Sequence, residues 1–549
     1  MGDPGTGTGL GEGMRLTTEE FGRIEVDTVP LPDDAFDTYA TYTPSGRIFL
    51  LYRRPTDSVD EQVFHAATIE DDGTGYHHLF SGPIAQHPRA NGIRAMMFPD
   101  NRRALLGDYM LECDPDLDTA TAARLVDVRY PWRQEEDPRT THHWSEVIVA
   151  PDGEHVAWTI LRADMSAAVG LGRLSRTVAG YEIVSPQLIS TVEQFVPDPE
   201  HPGCMLPQPS RGGEVKQFVR GGRAISAVGG VDGFLPDSVV QALDSGDLTA
   251  VTRGPGYDET TIFSPDEKLG LVMSARASRA TDLAVLGLLP RPQSGHALSS
   301  IAWIVYSYSV TGVRDHRLGN VGPVLIDIAR SRADPGYQGV ALHDPAEEWV
   351  YVSPMSWHPD GTRCAWLETP RGSELAQPVR DIRVRRARLL DVAPGEPVRP
   401  AAVPDDVVYA LRGEAAEQAL WNPPQPVTSA RVAGRHSGYL EIDRTLPDPA
   451  RGVSGTGEVR YVGYSDDGET VWTGFERVTS SFTADTVYEA DVELAGPVSG
   501  QMQLRATWTP LVGPDPARLR FERADDGEPA SHGYARYGDQ RREISALLP

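Results

Sequence analysis

The chain has 549 residues, 40% of them hydrophobic, and carries 78 acidic against 51 basic residues for a formal net charge of −27. Such an excess of negative charge repels phosphate backbones and anionic membrane surfaces, so we expect neither nucleic acid nor a lipid surface as a partner. Lysine occurs only as Lys216 and Lys268, and we interpret its scarcity as a bias in codon usage rather than a functional signal.

The first residues are rich in glycine, and we expect a flexible start over residues 1–20. This start has neither a basic segment nor an apolar core, which argues against a secretory leader. No run of eighteen apolar residues occurs, which argues against a membrane span. These observations predict a cytoplasmic protein. Three widely separated cysteines indicate neither a disulfide framework nor a thiolate metal site.

From residue 39 onwards, the chain repeats one local pattern, in which an apolar strand runs into a short polar turn and a second apolar strand runs out. Asp and Pro favour such corners because Asp bonds the backbone two residues on and Pro fixes φ just before it. The pattern therefore predicts an antiparallel hairpin at each copy. The seven copies span residues 39–52, 93–109, 146–160, 214–228, 260–273, 355–368 and 459–475.

The spacing of the early copies suits blades of four short strands, which repeat about every 40–50 residues. Twisted sheets of this kind stack around an axis and bury both faces. We therefore predict an all-β fold, a β-propeller of seven four-stranded blades with loop insertions and an extended C-terminal blade or β unit. Blades 1 to 6 are expected over residues 21–428, and the last blade with an extended antiparallel β unit and a tail over 429–549. Of the two readings of this C-terminal part, we favour the blade.

Two insertions carry predictions of their own. The apolar segment at residues 301–310 is expected to form an extra strand, and residues 414–419 to begin a short helix. Trp158, Trp366 and Trp472 recur on the second strand of their hairpins, which is typical of packing between blades.

Three of the corners carry a resemblance to a known family. These are Ala150-Pro151-Asp152-Gly153, Ser264-Pro265-Asp266 and Trp357-His358-Pro359-Asp360-Gly361, each between two apolar strands. They resemble the TolB-like or WD40-like (PD40) β-propeller repeat, and the resemblance covers about residues 38 to 476. It implies the propeller fold. The family includes periplasmic scaffold proteins, propeller halves of peptidases and a few lyases, so it implies no single activity.

In a propeller, side chains near the ends of the inner strands gather at one mouth of the central channel. Arginine binds carboxylate and phosphate groups in a bidentate manner, so arginines and carboxylates at this mouth indicate a small polar or anionic ligand. The alternative is that they are ordinary solvated charges on the rim. The candidate binding residues are Arg54, Arg94, Arg162, Glu214, Arg276, Glu368 and Arg460.

The adjacent pair His142 and His143 is the sharpest local signal, and we take both, with Asp258 and Glu259, as candidate catalytic residues. On an extended segment the two histidines point to opposite sides, so one of them would face the axis. Metal-dependent lyases of this fold place histidines near the axis, so the resemblance allows a divalent metal here. The sequence shows no spaced set of three ligands, so the metal ligands stay unknown, no cofactor is certain, and ordinary polar or core histidines are the alternative. His358 is expected to cap its own turn rather than bind a ligand.

The sequence lacks a Gly-x-Ser-x-Gly elbow, a Walker loop, a His-Glu-x-x-His motif and a Cys-x-x-Cys motif. Three function classes stay open. The first is a TolB-like propeller that binds a small polar ligand or a protein partner at its central mouth. The second is a propeller enzyme, a lyase or hydrolase that acts on a small polar or anionic substrate such as a saccharide, with or without a metal. The third is a propeller domain of a larger assembly. The oligomeric state is not indicated.

Overall fold

The computed structural model describes residues 13–58, 60–85, 94–132, 147–161, 167–230, 235–278, 281–292, 300–315, 317–344, 346, 348–372, 380–424, 427–445, 455–513, 515–524 and 527–548. Nearly all of the regular structure is antiparallel β. The first six predicted hairpins are confirmed, and each forms the first two strands of a group of consecutive antiparallel strands that we call a blade.

The strands follow in chain order. The chain begins with β1 (Met14–Thr18) and β2 (Gly22–Val29). Blade 1 contains β3 (Phe36–Tyr42), β4 (Ile48–Arg53), β5 (Val63–Ile69) and β6 (His77–Pro83). Blade 2 contains β7 (Ala95–Met97), β8 (Arg103–Leu106), β9 (Tyr109–Asp114) and β10 (Ala122–Arg129). Blade 3 contains β11 (Val147–Val149), β12 (His155–Leu161), β13 (Ala167–Arg176) and β14 (Gly180–Leu188).

A small hairpin follows, β15 (Phe195–Pro197) and β16 (Met205–Pro207). Blade 4 contains β17 (Glu214–Val219), β18 (Ala224–Gly229), β19 (Asp237–Ala242) and β20 (Leu248–Ala250). Blade 5 contains β21 (Asp258–Phe263), β22 (Leu269–Ser274), β23 (Pro323–Asp327) and β24 (Val340–Ala341). Blade 6 begins with β25 (Trp349–Trp357), β26 (Arg363–Pro370) and β27 (Arg383–Leu389), and the short β28 (Leu411–Arg412) pairs with β14.

The first strands of the blades close into a ring. β3 contacts β7, β7 contacts β11, and the contacts continue through β17, β21 and β25 back to β3. Because each blade meets the next one through its first strand, the sheets surround a common axis. The described residues form a β-propeller of six blades. The predicted number of seven is wrong for the part of the chain that the structure describes, because the seventh hairpin lies in a different sheet.

The ring is closed by the beginning of the chain. β2 pairs antiparallel with β27, with Ile24 opposite Leu389 and Val26 opposite Ala387, so it supplies the fourth strand of blade 6. β1 pairs with β2 and adds a fifth strand. The start expected to be flexible, residues 1–20, therefore contains a strand at Met14–Thr18.

The helices lie in the insertions. They are α1 (Ala284–Gly287), α2 (Ser300–Tyr306), a π-helical segment (Ser307–Thr311), α3 (Gly312–Asp315), α4 (Ile328–Ala333) and α5 (Gly413–Trp421), with 3-10 turns at Arg220–Gly222 and Ile544–Leu547. The helix expected near residue 414 is confirmed by α5. The strand expected at 301–310 is wrong: this segment is helical, and Ile301 and Ile304 are fully buried. None of the helices in the described part of the chain has the length and apolar character needed to cross a bilayer.

The C-terminal part is one antiparallel sheet of eight strands rather than a blade. Its strands are β29 (Ser429–Ala433), β30 (Ser437–Thr445), β31 (Gly455–Ser465), β32 (Val471–Ser480), β33 (Thr486–Ala495), β34 (Gly500–Trp508), β35 (His532–Tyr537) and β36 (Gln540–Glu543). We call it the C-terminal sheet. It shares a hydrophobic core with the helical insertion of blade 5 and with blade 6. Its strands β32 and β33 have ten residues each and pair with each other along almost their whole length.

The corner residues behave as their chemistry predicts. Asp152 Oδ1 accepts hydrogen bonds from the backbone N–H groups of Glu154 and His155, at 2.9 and 3.0 Å. His358 Nδ1 accepts one from the backbone N–H of Asp360 at 3.1 Å, so its predicted capping role is confirmed. Trp158 and Trp366 are buried within the propeller. Trp472 is half-buried in the C-terminal sheet, so its predicted place between blades is wrong.

The corner of blade 3 makes the stability of the fold depend on pH. His155 donates from Nδ1 to Asp152 at 2.7 Å and from Nε2 to Asp405 at 3.1 Å when it is protonated. Burial lowers the pKa of His155, but the hydrogen bonds and charges of Asp152 and Asp405 outweigh burial and raise it above its ordinary value. A raised folded-state pKa means that this stabilisation is complete below the unfolded-state pKa, about 6.5, and is lost as pH rises through the folded-state value.

We therefore expect the wild-type protein to lose stability between pH 6 and pH 8 relative to a His155→Gln variant. Urea-induced unfolding of both proteins at several pH values in this range measures the difference. Equal pH dependence in the two proteins would contradict the contribution of His155.

Candidate functional site

A cavity of about 230 Å³ lies on the propeller axis. Its walls come from the first strands of blades 1, 4, 5 and 6, and Arg94 and Met96 of blade 2 complete them. A cavity on the axis is the place where side chains from separate blades meet, so it is the default binding site of this fold.

Irregular pairing of the first strands shapes this cavity. The register between first and second strands shifts after Val215 in β17, after Asp258 in β21 and after Val352 in β25. A bulge leaves residues unpaired and redirects their side chains. The residues at these three bulges that line the cavity are Lys216, Thr260, Ser353 and Pro354.

Lys216 carries the central positive charge of the site. Its side chain is 2% exposed, and its Nζ lies 3.0 Å from Glu214 Oε1 and 3.5 Å from Glu259 Oε1. Two carboxylates around one ammonium offset the cost of burying the charge. Among 51 basic residues only two are lysines, and one of them occupies this position.

The adjacent carboxylates of Asp258 and Glu259 are held by further partners. Glu259 accepts a hydrogen bond from the hydroxyl of Tyr257, and burial, followed by the charge of Glu259, raises the pKa of that hydroxyl well above its ordinary value. The neighbouring Asp258 pairs with Arg276, whose Nε lies 3.3 Å from Asp258 Oδ1. Both carboxylates therefore have fixed positions beside the axis.

Side chains also connect neighbouring first strands around the cavity. The Trp357 indole N–H donates to the carbonyl of Ile262 at 2.8 Å, and Gln217 Oε1 accepts from the backbone N–H of Phe263 at 2.8 Å. The Tyr39 hydroxyl donates to the carbonyl of Ala95 at 3.2 Å. First strands of adjacent blades diverge and cannot form a continuous ladder, so these side chains fix the walls of the cavity instead.

The structure brings some of the predicted site residues together and separates others. Arg94 lines the cavity, and Glu214 and Glu259 flank Lys216 there. Asp258 and Arg276 form an ion pair beside it. His142, His143 and Arg162 lie outside the described residues, so their roles stay predictions.

Three other predicted binding residues lie elsewhere. Arg460 is on β31 of the C-terminal sheet, where it pairs with Glu458, so its predicted place at the mouth is wrong, because it depended on a seventh blade. Glu368 is buried and bonds the Trp366 indole and Arg383, at 2.7 and 2.6 Å. Burial raises the pKa of its carboxyl. Arg54 follows β4 and pairs with Asp34 at 2.8 Å.

Sequence reasoning missed Lys216 and the aromatic wall made by Tyr39, Tyr351 and Trp357. The scarcity of lysine was the one available signal for Lys216, and we interpreted it as codon bias. In the described residues, no group of three or more His, Cys, Asp or Glu side chains is arranged to hold a metal ion. The metal considered beside His142 and His143 stays a prediction.

No family model matches the sequence, and no curated protein matches it. Solved structures do. A putative TolB from Agrobacterium tumefaciens is 13% identical, covers 61% of this chain and 92% of its own, and has a TM-score of 0.31. TolB from Acinetobacter baumannii is 11% identical, covers 67% and 66%, and has a TM-score of 0.27. A putative 6-phosphogluconolactonase from Bacteroides uniformis is 14% identical, covers 48% and 89%, and has a TM-score of 0.25.

One of these three structures is a TolB and another is a putative TolB, and the corner motifs resemble TolB-like propellers. The number of blades and their closure rest on the strand pairing and contacts of this chain described above.

Proposed function

We propose that this protein is a binding propeller that holds a small polar molecule in its axial cavity. The observation that carries the proposal is Lys216, an almost completely buried lysine that lines the cavity at a bulge of β17. Burying a charge is costly, and a purely structural wall would be at least as stable with the lysine and its two carboxylates replaced together by apolar residues. A cation kept in this position is therefore best explained by a ligand.

The size and lining of the cavity restrict the ligand. Pockets for drug-sized molecules measure about 300–1,000 Å³, so the cavity here, of about 230 Å³, suits a smaller compound. Hydroxyl and amide groups from several blades surround Lys216 and Arg94, and they suit a compound with several oxygen atoms. They are supplied by Tyr39, Thr41, Gln217, Thr260, Ser353 and Ser356. Monosaccharides and their carboxylate derivatives have this chemistry.

Thermal unfolding in the presence of a panel of compounds tests the proposal. The panel contains neutral monosaccharides, sugar acids, amino acids and simple dicarboxylates. A ligand at a hundred times its Kd stabilises the folded state by about 2.7 kcal/mol, which raises Tm by a few degrees. We expect a sugar or sugar acid to give this shift in the wild-type protein.

Two variants locate the binding, and one serves as a control. Lys216→Met and Thr41→Val are expected to reduce the ligand-induced shift, whereas Lys268→Met should keep it, because Lys268 lies on an outer corner with a side chain 74% exposed. Thr41→Val preserves the shape of the wall and avoids the stability loss expected for Lys216→Met. No shift with any member of the panel, or equal shifts in all four proteins, would contradict a ligand site in the cavity.

A further inference from the structure

A second group of reactive side chains lies on the rim of blade 1, away from the axial cavity. Ser81 on the outermost strand β6 is exposed and stands directly opposite His65 on β5. Ser81 Oγ lies 2.7 Å from His65 Nδ1, and His65 Nε2 lies 3.1 Å from Asp57 Oδ2. A hydroxyl, an imidazole and a carboxylate thus form one hydrogen-bonded line.

A bulge adds a second histidine to this line. Residues three apart on a regular strand point to opposite faces, but the register shifts at Leu79, so that Phe80 pairs with Ala66 and His78 with Ala67. This shift places His78 on the face of Ser81, and its Nε2 lies 2.7 Å from Ser81 Oγ. The adjacent His77 bonds the carbonyl of Ala120 and takes no part.

The hydrogen-bond partners of His65 and His78 indicate which ring nitrogens carry protons. The Asp57 carboxylate also accepts from the backbone N–H of Arg54 at 2.6 Å, so it acts as an acceptor, and His65 carries its proton on Nε2. His65 Nδ1 is then free to accept from the hydroxyl of Ser81, while His78 Nε2–H donates to the same oxygen. Burial, then the charges of His65 and Arg54, lower the pKa of His78, which keeps this second imidazole neutral near pH 7.

The base is buried and the nucleophile is accessible. The side chains of His65 and Asp57 are 7% and 12% exposed. The ring of Tyr52 packs against His65 with centroids 5.3 Å apart, and the Tyr52 hydroxyl is within 2.8 Å of that of Tyr76. A fixed imidazole between a carboxylate and an exposed hydroxyl is the arrangement that activates serine for attack on a carbonyl carbon.

We propose that Ser81, His65 and Asp57 form an acyl-transfer site on the rim of blade 1, with small carboxylic esters as the substrate class. Ser81 Oγ bonds to the carbonyl carbon while its proton passes to His65 Nδ1. The bond to the leaving oxygen then breaks, and that oxygen takes the proton from His65. Water hydrolyses the acyl-serine by the same route in reverse. Asp57 is a positioning residue, because it acts through His65. This site does not depend on a ligand in the axial cavity.

A fluorophosphonate probe tests the nucleophile directly, because attack by serine forms a P–O bond, releases fluoride and leaves a stable adduct. We expect one adduct per chain in the intact mass, mapped to Ser81 by peptide analysis, together with hydrolysis of p-nitrophenyl acetate. Ser81→Ala should remove both. His65→Gln should lower the labelling rate at least a hundredfold, since general-base catalysis contributes about 10²–10⁴-fold. Ser245→Ala is the matched control, because Ser245 is exposed and bonds Asp247 at 2.7 Å.

Rescue by a conservative variant separates the positioning role of Asp57 from a structural one. The groups that face His65 are Asp57, Ser81, His78 and Tyr52, with Arg54 nearby. Asp57→Asn removes the carboxylate that accepts from His65 Nε2, so it should slow labelling. Asp57→Glu keeps a carboxylate beside this imidazole and should recover part of the rate. Unchanged urea midpoints for the Ser81→Ala and Asp57→Asn variants confirm that they fold.

Two results would overturn the proposal. One is that the probe leaves no adduct on Ser81 of the folded wild-type protein. The other is labelling of Ser81 at the same rate with His65→Gln as with the wild type, which would show an accessible but unactivated hydroxyl. Labelling of Asp57→Asn at the wild-type rate would remove Asp57 from the site.

Discussion

Replacing Arg291 by methionine is expected to lower the free energy of unfolding by about 3–5 kcal/mol. Arg291 is 8% exposed, and its Nε lies 2.9 and 2.8 Å from the two carboxylate oxygens of Glu476 on β32. Its side chain comes from the insertion of blade 5, so the ion pair joins the propeller to the C-terminal sheet. Loss of the guanidinium leaves Glu476, whose side chain is 1% exposed, as a buried charge without its counter-ion.

Tyrosines complete the surroundings of this pair. The hydroxyls of Tyr461 and Tyr488 donate to the two oxygens of Glu476 at 2.9 and 2.6 Å. Because they are neutral donors, they do not replace the charge of Arg291. The double variant Arg291→Met/Glu476→Gln, which removes both charges, should recover most of the loss.

Urea-induced unfolding of the full chain, followed by circular dichroism and tryptophan fluorescence, measures these differences. Arg460→Met is the matched control in the same sheet, because Arg460 pairs with Glu458 on the surface with a side chain 59% exposed. We expect this control to change stability by less than about 0.5 kcal/mol. A loss below about 1 kcal/mol for Arg291→Met would contradict an energetic link between the propeller and the C-terminal sheet.

The second large effect is expected at Lys216. Lys216→Met should lower the free energy of unfolding by roughly 2–4 kcal/mol, because Glu214 and Glu259 then face each other beside the cavity without the ammonium. The loss should be smaller than at Arg291, since the Glu214 side chain is 24% exposed and is partly stabilised by water.

A double variant separates the effect of charge from that of packing at Lys216. The double variant Lys216→Met/Glu259→Gln should regain much of the stability, whereas Lys268→Met, the only other lysine substitution in the chain, should have an effect within about 0.5 kcal/mol. The urea midpoints of unfolding of these three variants measure the differences. If Lys216→Met were as stable as Lys268→Met, the cation would not be holding the two carboxylates.

Much of the fold could be predicted from the sequence, because the corners of the propeller are stabilised by hydrogen bonds within a few residues of the chain. Asp152, Asp266 and Asp360 each bond a backbone N–H two residues on, and this needs only the turn itself. The hairpins around these corners therefore appeared where they were predicted. The fourth hairpin, without its Pro-Asp, also appeared, because Gly221 and Gly222 supply the positive φ of its turn.

The prediction failed where burial on all sides outweighs local preference. Residues 301–310 are rich in Ile, Val, Trp and Tyr, which favour strands, yet they form helix in the insertion of blade 5. Ile304 and Val305 are fully buried against the C-terminal sheet's core, so tertiary contacts decided the conformation. The same contacts gave β31 and β32 partners on both sides within their own sheet and kept them out of the ring.

The candidate site was also predicted only in part. The sequence alone placed Arg94, Glu214, Asp258 and Glu259 near the mouth, because the ends of inner strands follow from the position of each corner. Only the tertiary structure decided that Lys216 lines the cavity and that His78 reaches Ser81. Both depend on bulges, which leave no mark in the alternation of a strand and arise from how neighbouring strands and blades fit together. The corners are encoded residue by residue, whereas the reactive groupings exist only once separate strands have been paired.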